Sequence, residues 1–219
     1  MKYLQRCLLL PALIGITVTL NAQVPEQPFN APLQWDARWI TDAGAAPAGY
    51  GVYLFRKQFR LLNYSGPFTI HISADNRYRL YVNGHFAGMG PARSDLANWY
   101  YETIDISPYL KYGSNVIAAE VMNYGAGKPR GQLTAGTGLL VQGHTPREAA
   151  IVNTGGTPWR VMEDAAFTLL PVQTGGVFYG AYAGDSIVSQ FHPWGWEQAA
   201  FKDSCWEAAV VADPVSLQG

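Results

Sequence analysis

The sequence has little cysteine and almost no net charge, and each shortage excludes a class of protein. Its two cysteines are Cys7 and Cys205, and only Cys205 follows the first 22 residues. Once residues 1–22 are removed, a single cysteine remains and no internal disulfide can form. Its 15 basic and 16 acidic residues give a net charge of −1, so no electrostatic feature favours binding to nucleic acid or to a membrane surface. The domain must therefore be held together by burial.

Long hydrophobic runs are also scarce, and the one present is at the N-terminus. Lys2 and Arg6 lead into an apolar run from Cys7 to Leu20, and the small residue Ala22 follows shortly after. This order is typical of a secretory signal peptide cleaved after Ala22. A transmembrane anchor is the alternative, but the run is shorter than the ~20 residues that cross a bilayer. We expect an exported protein, periplasmic or secreted, with a signal peptide at 1–22, a linker at 23–34, a domain at 35–213 and a tail at 214–219.

No catalytic set is visible in the sequence. Glycosidases need two carboxyl groups about 5 to 9.5 Å apart, and spacing alone selects no such pair among the 16 acids. No glycine-rich loop opens a helix to bind phosphate. The histidines have no i,i+4 pairing and no partner cysteines, so we expect each to be exposed or hydrogen-bonded and not to bind zinc; they are His71, His85, His144 and His192.

Helical periodicity is missing too, and a period of two takes its place from Trp35 onward. The segments 53–61, 68–74 and 77–82 alternate between apolar and polar residues, which is typical of strands with one buried face and one solvated face. Asn83-Gly84 fits a two-residue type I′ turn, and residues 115–123 are apolar enough for a central strand. Further short strands are predicted at 138–143, 149–155 and 157–163. The pattern predicts an all-β fold, a jelly-roll β-sandwich.

The sequence is rich in aromatic residues and has an unusual polar pair. Seven tryptophans and 13 tyrosines suit either a β-sandwich core or the stacking of sugar rings. Asp75-Asn76 interrupts two predicted strands and offers two oxygen donors of the kind that Ca²⁺ binds. The alternative is an Asx turn, in which these side chains bond the nearby backbone.

A second polar cluster lies in "GPARSDLANWYYE". Arg93 and Asp95 could bind a hydroxyl-rich ligand, and Trp99 and Tyr100 could contact a sugar. Because neighbouring residues of a strand point to opposite faces, at least one aromatic of this cluster should lie in the core. The later "HPWGWE" is interpreted as an aromatic plug that closes the sandwich, in preference to a further site.

Several motifs in this order resemble the N-terminal β-sandwich of bacterial α-L-rhamnosidases. They are "FRKQF", "ISADNRYRLYVNG", "GPARSDLANWYYETIDISPYLKYGSNVIAAEV", "IVNTGGTPWRV" and "PWGWE…FKDSCWEAA", and together they cover roughly residues 35 to 210. The resemblance implies a galactose-binding-like jelly roll that precedes further β-domains and an (α/α)6 barrel. In that family the barrel cleaves terminal α-L-rhamnose by inversion, and no part of it is found in this sequence, so no catalytic residue can be assigned.

The resemblance also bears on the polar pair. Related rhamnose-binding modules hold the sugar through a bound Ca²⁺ and an adjacent Asp and Asn, which match Asp75 and Asn76 here. Three hypotheses remain: a carbohydrate-binding accessory domain of an exported α-L-rhamnosidase, a purely structural domain beside a missing catalytic barrel, and a free-standing enzyme with an unfamiliar site. The first two differ in whether Asp75-Asn76 and the loop from Arg93 to Tyr101 converge on an open pocket.

Overall fold

The computed structural model describes residues 33–129, 131–171 and 184–212. The predicted signal peptide and tail, and all of the predicted linker except its last two residues, lie outside these ranges. From Trp35 onward the described residues belong to one compact unit. The strands are β1 (Ile40–Thr41), β2 (Tyr50–Leu61), β3 (Thr69–Asp75), β4 (Arg77–Val82), β5 (His85–Gly90), β6 (Glu102–Asp105), β7 (Gly113–Tyr124), β8 (Gly138–Gly143), β9 (Arg160–Glu163), β10 (Phe167–Leu169), β11 (Asp185–Ile187), β12 (Glu207–Ala208) and β13 (Val210–Val211).

Two antiparallel sheets form the sandwich. The five-stranded sheet has the order β13-β1-β8-β3-β6, and the six-stranded sheet has the order β12-β9-β2-β7-β4-β5. β10 and β11 form a separate two-stranded ribbon. The prediction of an all-β, jelly-roll sandwich of the galactose-binding type is confirmed.

The main core lies between the two sheets and follows the predicted period of two. Ile70 and Ile72 of β3 face inward from the five-stranded sheet, and Phe55, Leu80 and Ile117 face inward from the other. All five are fully buried. Burying a side chain of this kind contributes roughly 1.5–3 kcal/mol, so this layer supplies much of the stability of the fold.

The turn between β4 and β5 has the predicted geometry. Asn83 and Gly84 have φ angles of 51° and 84°, and Val82 pairs with His85 across the turn. Two consecutive positive φ angles are what a type I′ turn requires. The Asn83 side chain also accepts a hydrogen bond of 3.0 Å from the backbone N–H of Val116, which ties the turn to β7.

The strand predicted at 149–155 is wrong, because a helix occupies most of this segment. Helix α1 (Pro146–Val152) begins with a capping box in which Thr145 and Glu148 each accept a hydrogen bond from the other's backbone N–H. The sequence signal was present as Thr-x-x-Glu with a proline at the first helical position. Among the described residues, no helix is both long and apolar enough to cross a membrane.

The predicted solvated face of the six-stranded sheet is also largely buried. Val52 and Leu54 point away from the main core, and Trp196 and Trp206 of the C-terminal segment 184–206 pack over them in a second apolar cluster. The two tryptophans are each only 3% exposed. The polar–apolar alternation of β2 is therefore weaker than it would be in a sheet with one wet face.

Arg56 fixes the C-terminal segment to this sheet. Its guanidinium is fully buried and lies 2.9 Å from a carboxylate oxygen of Asp203. It also donates to the carbonyl oxygens of Gln198 and Phe201, at 3.2 and 3.3 Å. The guanidinium carbon lies 5.1 Å from the centre of the Phe201 ring, within cation–π range.

We predict that Asp203→Ala lowers the free energy of unfolding by about 3 kcal/mol, because it leaves a buried guanidinium without its counter-charge. Urea denaturation measures this cost. The double variant Arg56→Met/Asp203→Leu removes both charges and should recover most of the lost stability. A cost below about 1 kcal/mol for Asp203→Ala would contradict the assigned role.

Candidate functional site

Asp75 is the first of the predicted ligands, and its carboxylate is buried and hydrogen-bonded. The residue lies at the end of β3 and is 1% exposed. Its Oδ2 accepts hydrogen bonds from Thr134 Oγ1 at 3.0 Å and from the N–H groups of Ala135 and Gly136 at 2.5 and 2.9 Å. Burial raises the pKa of Asp75, although these hydrogen bonds act to lower it. The carboxylate thus organises the turn at 134–136.

Asn76 is also fully buried, and its side chain forms hydrogen bonds with the surrounding backbone. Its side-chain amide donates to Asp75 Oδ1 and, at 3.2 Å, to the carbonyl oxygen of Leu133. Its Oδ1 accepts a 3.0 Å hydrogen bond from the N–H of Tyr124. Of the two alternatives for the polar pair, the structure favours side chains that bond the backbone, although the backbone partners come from distant loops and not from a local Asx turn.

These two residues do not fit a calcium ion. Calcium takes six to eight oxygen ligands, but N–H and O–H donors point at Asp75 Oδ2 and an N–H points at Asn76 Oδ1. Neither side chain is accessible to an ion from solvent. Within the described parts of the chain, no group of three or more His, Cys, Asp or Glu residues could hold a metal. Calcium binding stays a prediction, and no acidic cluster among the described residues supports it.

The loop from Arg93 to Tyr101 lies beside the five-stranded sheet and not around the polar pair. Ser73 donates a 2.7 Å hydrogen bond to the carbonyl oxygen of Tyr100, which joins the loop to β3. Arg93 and Asp95 are exposed. Asp95 accepts hydrogen bonds from Ala97 and Asn98, which lower its pKa and close a local turn. Among the described contacts, no hydrogen bond joins this loop to Asp75 or Asn76.

Trp99 and Tyr100 differ in exposure, but none of Trp99, Tyr100 and Tyr101 lies in the core, so the prediction that at least one aromatic of this cluster would be buried there is wrong. Trp99 is half-buried, and its ring meets that of Trp39 edge-on at 6.3 Å. Its Nε1 is buried and has no hydrogen-bond acceptor in the described part of the chain. Tyr100 is 53% exposed. The six predicted carbohydrate-binding residues therefore do not form one site: two are buried, three are exposed on a loop, and Trp99 packs against Trp39.

A cleft of about 650 Å³ lies elsewhere, along β4 and β7 of the six-stranded sheet. One wall comes from the β4–β5 hairpin and the segment after it, and the other comes from the β10–β11 ribbon. The lining combines charged, aromatic and aliphatic side chains, and its residues are Arg77, Tyr78, Arg79, Met89, Gly90, Pro91, Ala92, Glu102, Glu120, Met122, Tyr124, Phe167, Asp185 and Ile187.

An ion pair lies in this cleft. Arg79 Nη1 is 3.3 Å from Glu120 Oε1, and the Arg79 side chain is 59% exposed whereas that of Glu120 is 11% exposed. Burial raises the pKa of Glu120, and the nearby charges of Arg79 and His192 partly offset this effect. The pair presents guanidinium donors and carboxylate acceptors side by side, an arrangement that can bind vicinal hydroxyl groups.

Hydrogen bonds hold the walls of the cleft in place. Glu102 accepts from the Tyr78 hydroxyl at 2.8 Å and from the N–H of Ala92 at 3.2 Å. At the other wall, Tyr50 donates a 2.7 Å hydrogen bond to Asp185. Cleft side chains that are fixed before binding lose little conformational entropy when a ligand arrives.

Sequence reasoning missed this cleft although parts of its signal were visible. Arg77 and Arg79 alternate with Tyr78 and Leu80 and so were assigned only to a polar strand face. What the sequence could not supply was the opposite wall, because the ribbon residue Phe167 lies 88 positions after Arg79 in the chain. Only the folded topology brings the two walls together.

One family model matches the chain, that of the α-L-rhamnosidase N-terminal domain, and it covers residues 67–218. This range includes β4, β7 and both walls of the cleft. No curated protein matches the sequence.

Solved structures support the same relationship. The chain is similar to a GH78 family rhamnosidase of Bacillus sp. GL1, with 26% identity, a TM-score of 0.71, and coverage of 84% of this chain and 19% of that one. It is also similar to α-L-rhamnosidases from Dictyoglumus thermophilum and Aspergillus terreus, each 20% identical, with TM-scores of 0.63 and 0.59. Those matches cover 83% and 81% of this chain and 21% of each relative. The chain thus spans about a fifth of the length of these enzymes.

We predict that Asp75→Ala destabilises the domain by about 3 kcal/mol, because it leaves three donors of the half-buried 134–136 turn without their acceptor. Asp95→Ala is the matched control and should leave the stability close to that of the wild type, since Asp95 is exposed. Chemical denaturation of both variants compares the two costs. Equal stability of Asp75→Ala and the wild type would show that the carboxylate has no structural role.

Proposed function

Because the chain belongs to the family of α-L-rhamnosidase N-terminal domains, we propose that it is a carbohydrate-binding accessory domain of such an enzyme. Its ligand is a rhamnose-containing glycan or glycoside, bound in the cleft beside β4 and β7. The catalytic domain that it assists lies outside this chain, and the acids that cleave the glycoside belong to that domain. The small share of the relatives' length that the chain covers is consistent with this division of labour.

The observation that carries the proposal is the mixed lining of the cleft. Rhamnose is a 6-deoxy sugar, with hydroxyl groups on the ring and one apolar methyl group. Arg79 and Glu120 offer donors and acceptors for hydroxyls, and Met122, Phe167 and Ile187 offer an apolar surface for the methyl group. Small-ligand sites commonly combine a largely apolar lining with a few fixed polar groups.

A second candidate function is a structural scaffold without a ligand of its own. The burial of Asp75 and Asn76 favours it, since the residues that match the ligands of related rhamnose-binding modules serve backbone hydrogen bonds here. The two functions predict opposite results when the wild-type protein is titrated with a rhamnoside. The accessory domain binds the sugar, whereas the scaffold binds none under any condition.

Export is part of the proposal. The charged start and the apolar run from Cys7 to Leu20 support a signal peptide, and an enzyme that releases rhamnose from glycans would meet such substrates outside the cell. N-terminal sequencing of the protein recovered from the periplasm or the medium should begin at Gln23.

We predict that the domain binds methyl α-L-rhamnopyranoside and that Arg79→Ala weakens this binding about tenfold, the effect of losing a charged hydrogen-bond donor. Isothermal titration calorimetry measures the dissociation constants. Arg60→Ala is the matched control. Arg60 is an exposed arginine of β2 that pairs with Ser114, at the end of the sheet away from Glu120 and the cleft. The variant should bind as the wild type does.

The same titration in excess chelator separates the cleft from a calcium site. Binding in the cleft should persist without calcium, because no metal takes part. Binding that disappears with the chelator would contradict binding in the cleft, and an absence of binding by the folded wild type would favour the scaffold.

A further inference from the structure

Trp194 stands out from the rest of the C-terminal segment by its exposure. It is 72% exposed, whereas Trp196, two residues later, is 3% exposed. The sequence "HPWGWE" was interpreted as a plug for the sandwich, and this holds for Trp196 but is wrong for Trp194. A large apolar side chain left in solvent next to a buried one needs a physical explanation.

The backbone directs Trp194 outward. Trp196 N–H donates a 3.1 Å hydrogen bond to the carbonyl oxygen of Pro193, closing a four-residue turn. Gly195 occupies the third position of this turn with φ +80°, as a type II turn requires. Trp194 occupies the second position of this turn and lies exposed at its tip.

The indole ring is fixed although it is exposed. Its Nε1 donates a 2.9 Å hydrogen bond to the carbonyl oxygen of Ser189. Its ring meets that of His192 edge-on at 4.7 Å, and His192 Nδ1 is in turn 2.6 Å from the buried carboxylate of Asp164. The polar atom of the ring is thus already used, and an apolar face is presented in a set orientation. A pre-positioned aromatic ring loses little entropy when it binds a ligand.

Trp194 lies next to the proposed sugar cleft. Phe167 lines the cleft, and its ring also contacts His192, with ring centroids 6.5 Å apart. His192 therefore lies between a cleft residue and Trp194 in a continuous row of aromatic rings. A glycan that leaves the cleft on this side would pass over the indole.

We propose that the exposed face of Trp194 is a stacking platform for a pyranose ring, a subsite for the sugar that adjoins the one in the cleft. The proposal rests on the proposed function, since the cleft supplies the neighbouring subsite. The face of an indole carries partial negative charge, and the C–H groups on one face of a pyranose carry weak positive charge. The two surfaces are flat and complementary, so the ligand class is a pyranoside of at least two sugar units.

The test compares a disaccharide with a monosaccharide. The probes are an α-L-rhamnopyranosyl disaccharide and methyl α-L-rhamnopyranoside, each titrated by calorimetry into the wild type, Trp194→Ala and Trp194→Phe. Trp194→Ala should weaken disaccharide binding about tenfold, the loss expected for a truncated anchoring aromatic. It should leave monosaccharide binding within about twofold, and Trp194→Phe should retain most of the disaccharide affinity because it keeps an aromatic face.

The matched control is Tyr112→Ala. Tyr112 is 78% exposed and precedes β7 at the end of the sandwich opposite the β10–β11 ribbon. Its removal should leave both affinities unchanged. Circular dichroism verifies that each variant is folded, and the indole N–H resonance of Trp194 should shift on disaccharide addition.

The outcomes separate this inference from the proposed function. If the folded Trp194→Ala variant binds the disaccharide as tightly as the wild type does, the platform is overturned and the proposed cleft is unaffected. Loss in Trp194→Ala without loss in Arg79→Ala keeps Trp194 as a sugar contact but overturns the cleft and, with it, the assignment of Trp194 to an adjoining subsite. An absence of rhamnoside binding by the wild type overturns both.

Discussion

The packing of the C-terminal segment on the six-stranded sheet is the constraint on which the candidate ligand surface depends. Trp196 and Trp206 cover Val52 and Leu54, and the buried Arg56–Asp203 pair fixes the segment in register with the strands. A guanidinium buried in an apolar layer is costly unless its partners are correctly placed, so one arrangement of the segment is strongly preferred. That arrangement positions the exposed indole and the β11 wall of the cleft.

The sandwich also has a buried polar centre, at Asp75 and Asn76. These side chains lie where β3 ends and β4 begins, and they bind the turn at 134–136 and the end of β7. The β3–β4 junction, the turn at 134–136 and the end of β7 thus meet at one carboxylate–carboxamide pair. The interior of the domain uses oxygen donors that, in an open site, would suit a metal.

Much of the fold follows from short-range signals in the sequence, and the site does not. The alternation in 77–82 and the Asn83-Gly84 pair predicted a strand and its turn, because both depend on local backbone geometry. The helix at 146–152 was missed although its Thr145 and Glu148 capping box was visible. Burial of Asp75 depends on the 134–136 turn, about 60 residues away in the chain, which no periodicity in the sequence indicates. The exposure of Trp194 is set by a local turn at Gly195, which a period of two does not indicate either.

The central claim is that the ligand binds on the six-stranded sheet and not at the polar pair. Its most direct test is to map amide and indole chemical shifts of the ¹⁵N-labelled protein during titration with methyl α-L-rhamnopyranoside. Binding in the cleft should give the largest changes at Arg79, Glu120 and Phe167, with little change at Ala135 and Gly136. Changes concentrated at Ala135, Gly136 and the Trp99 indole, with the β4–β7 cleft unaffected, would contradict the claim.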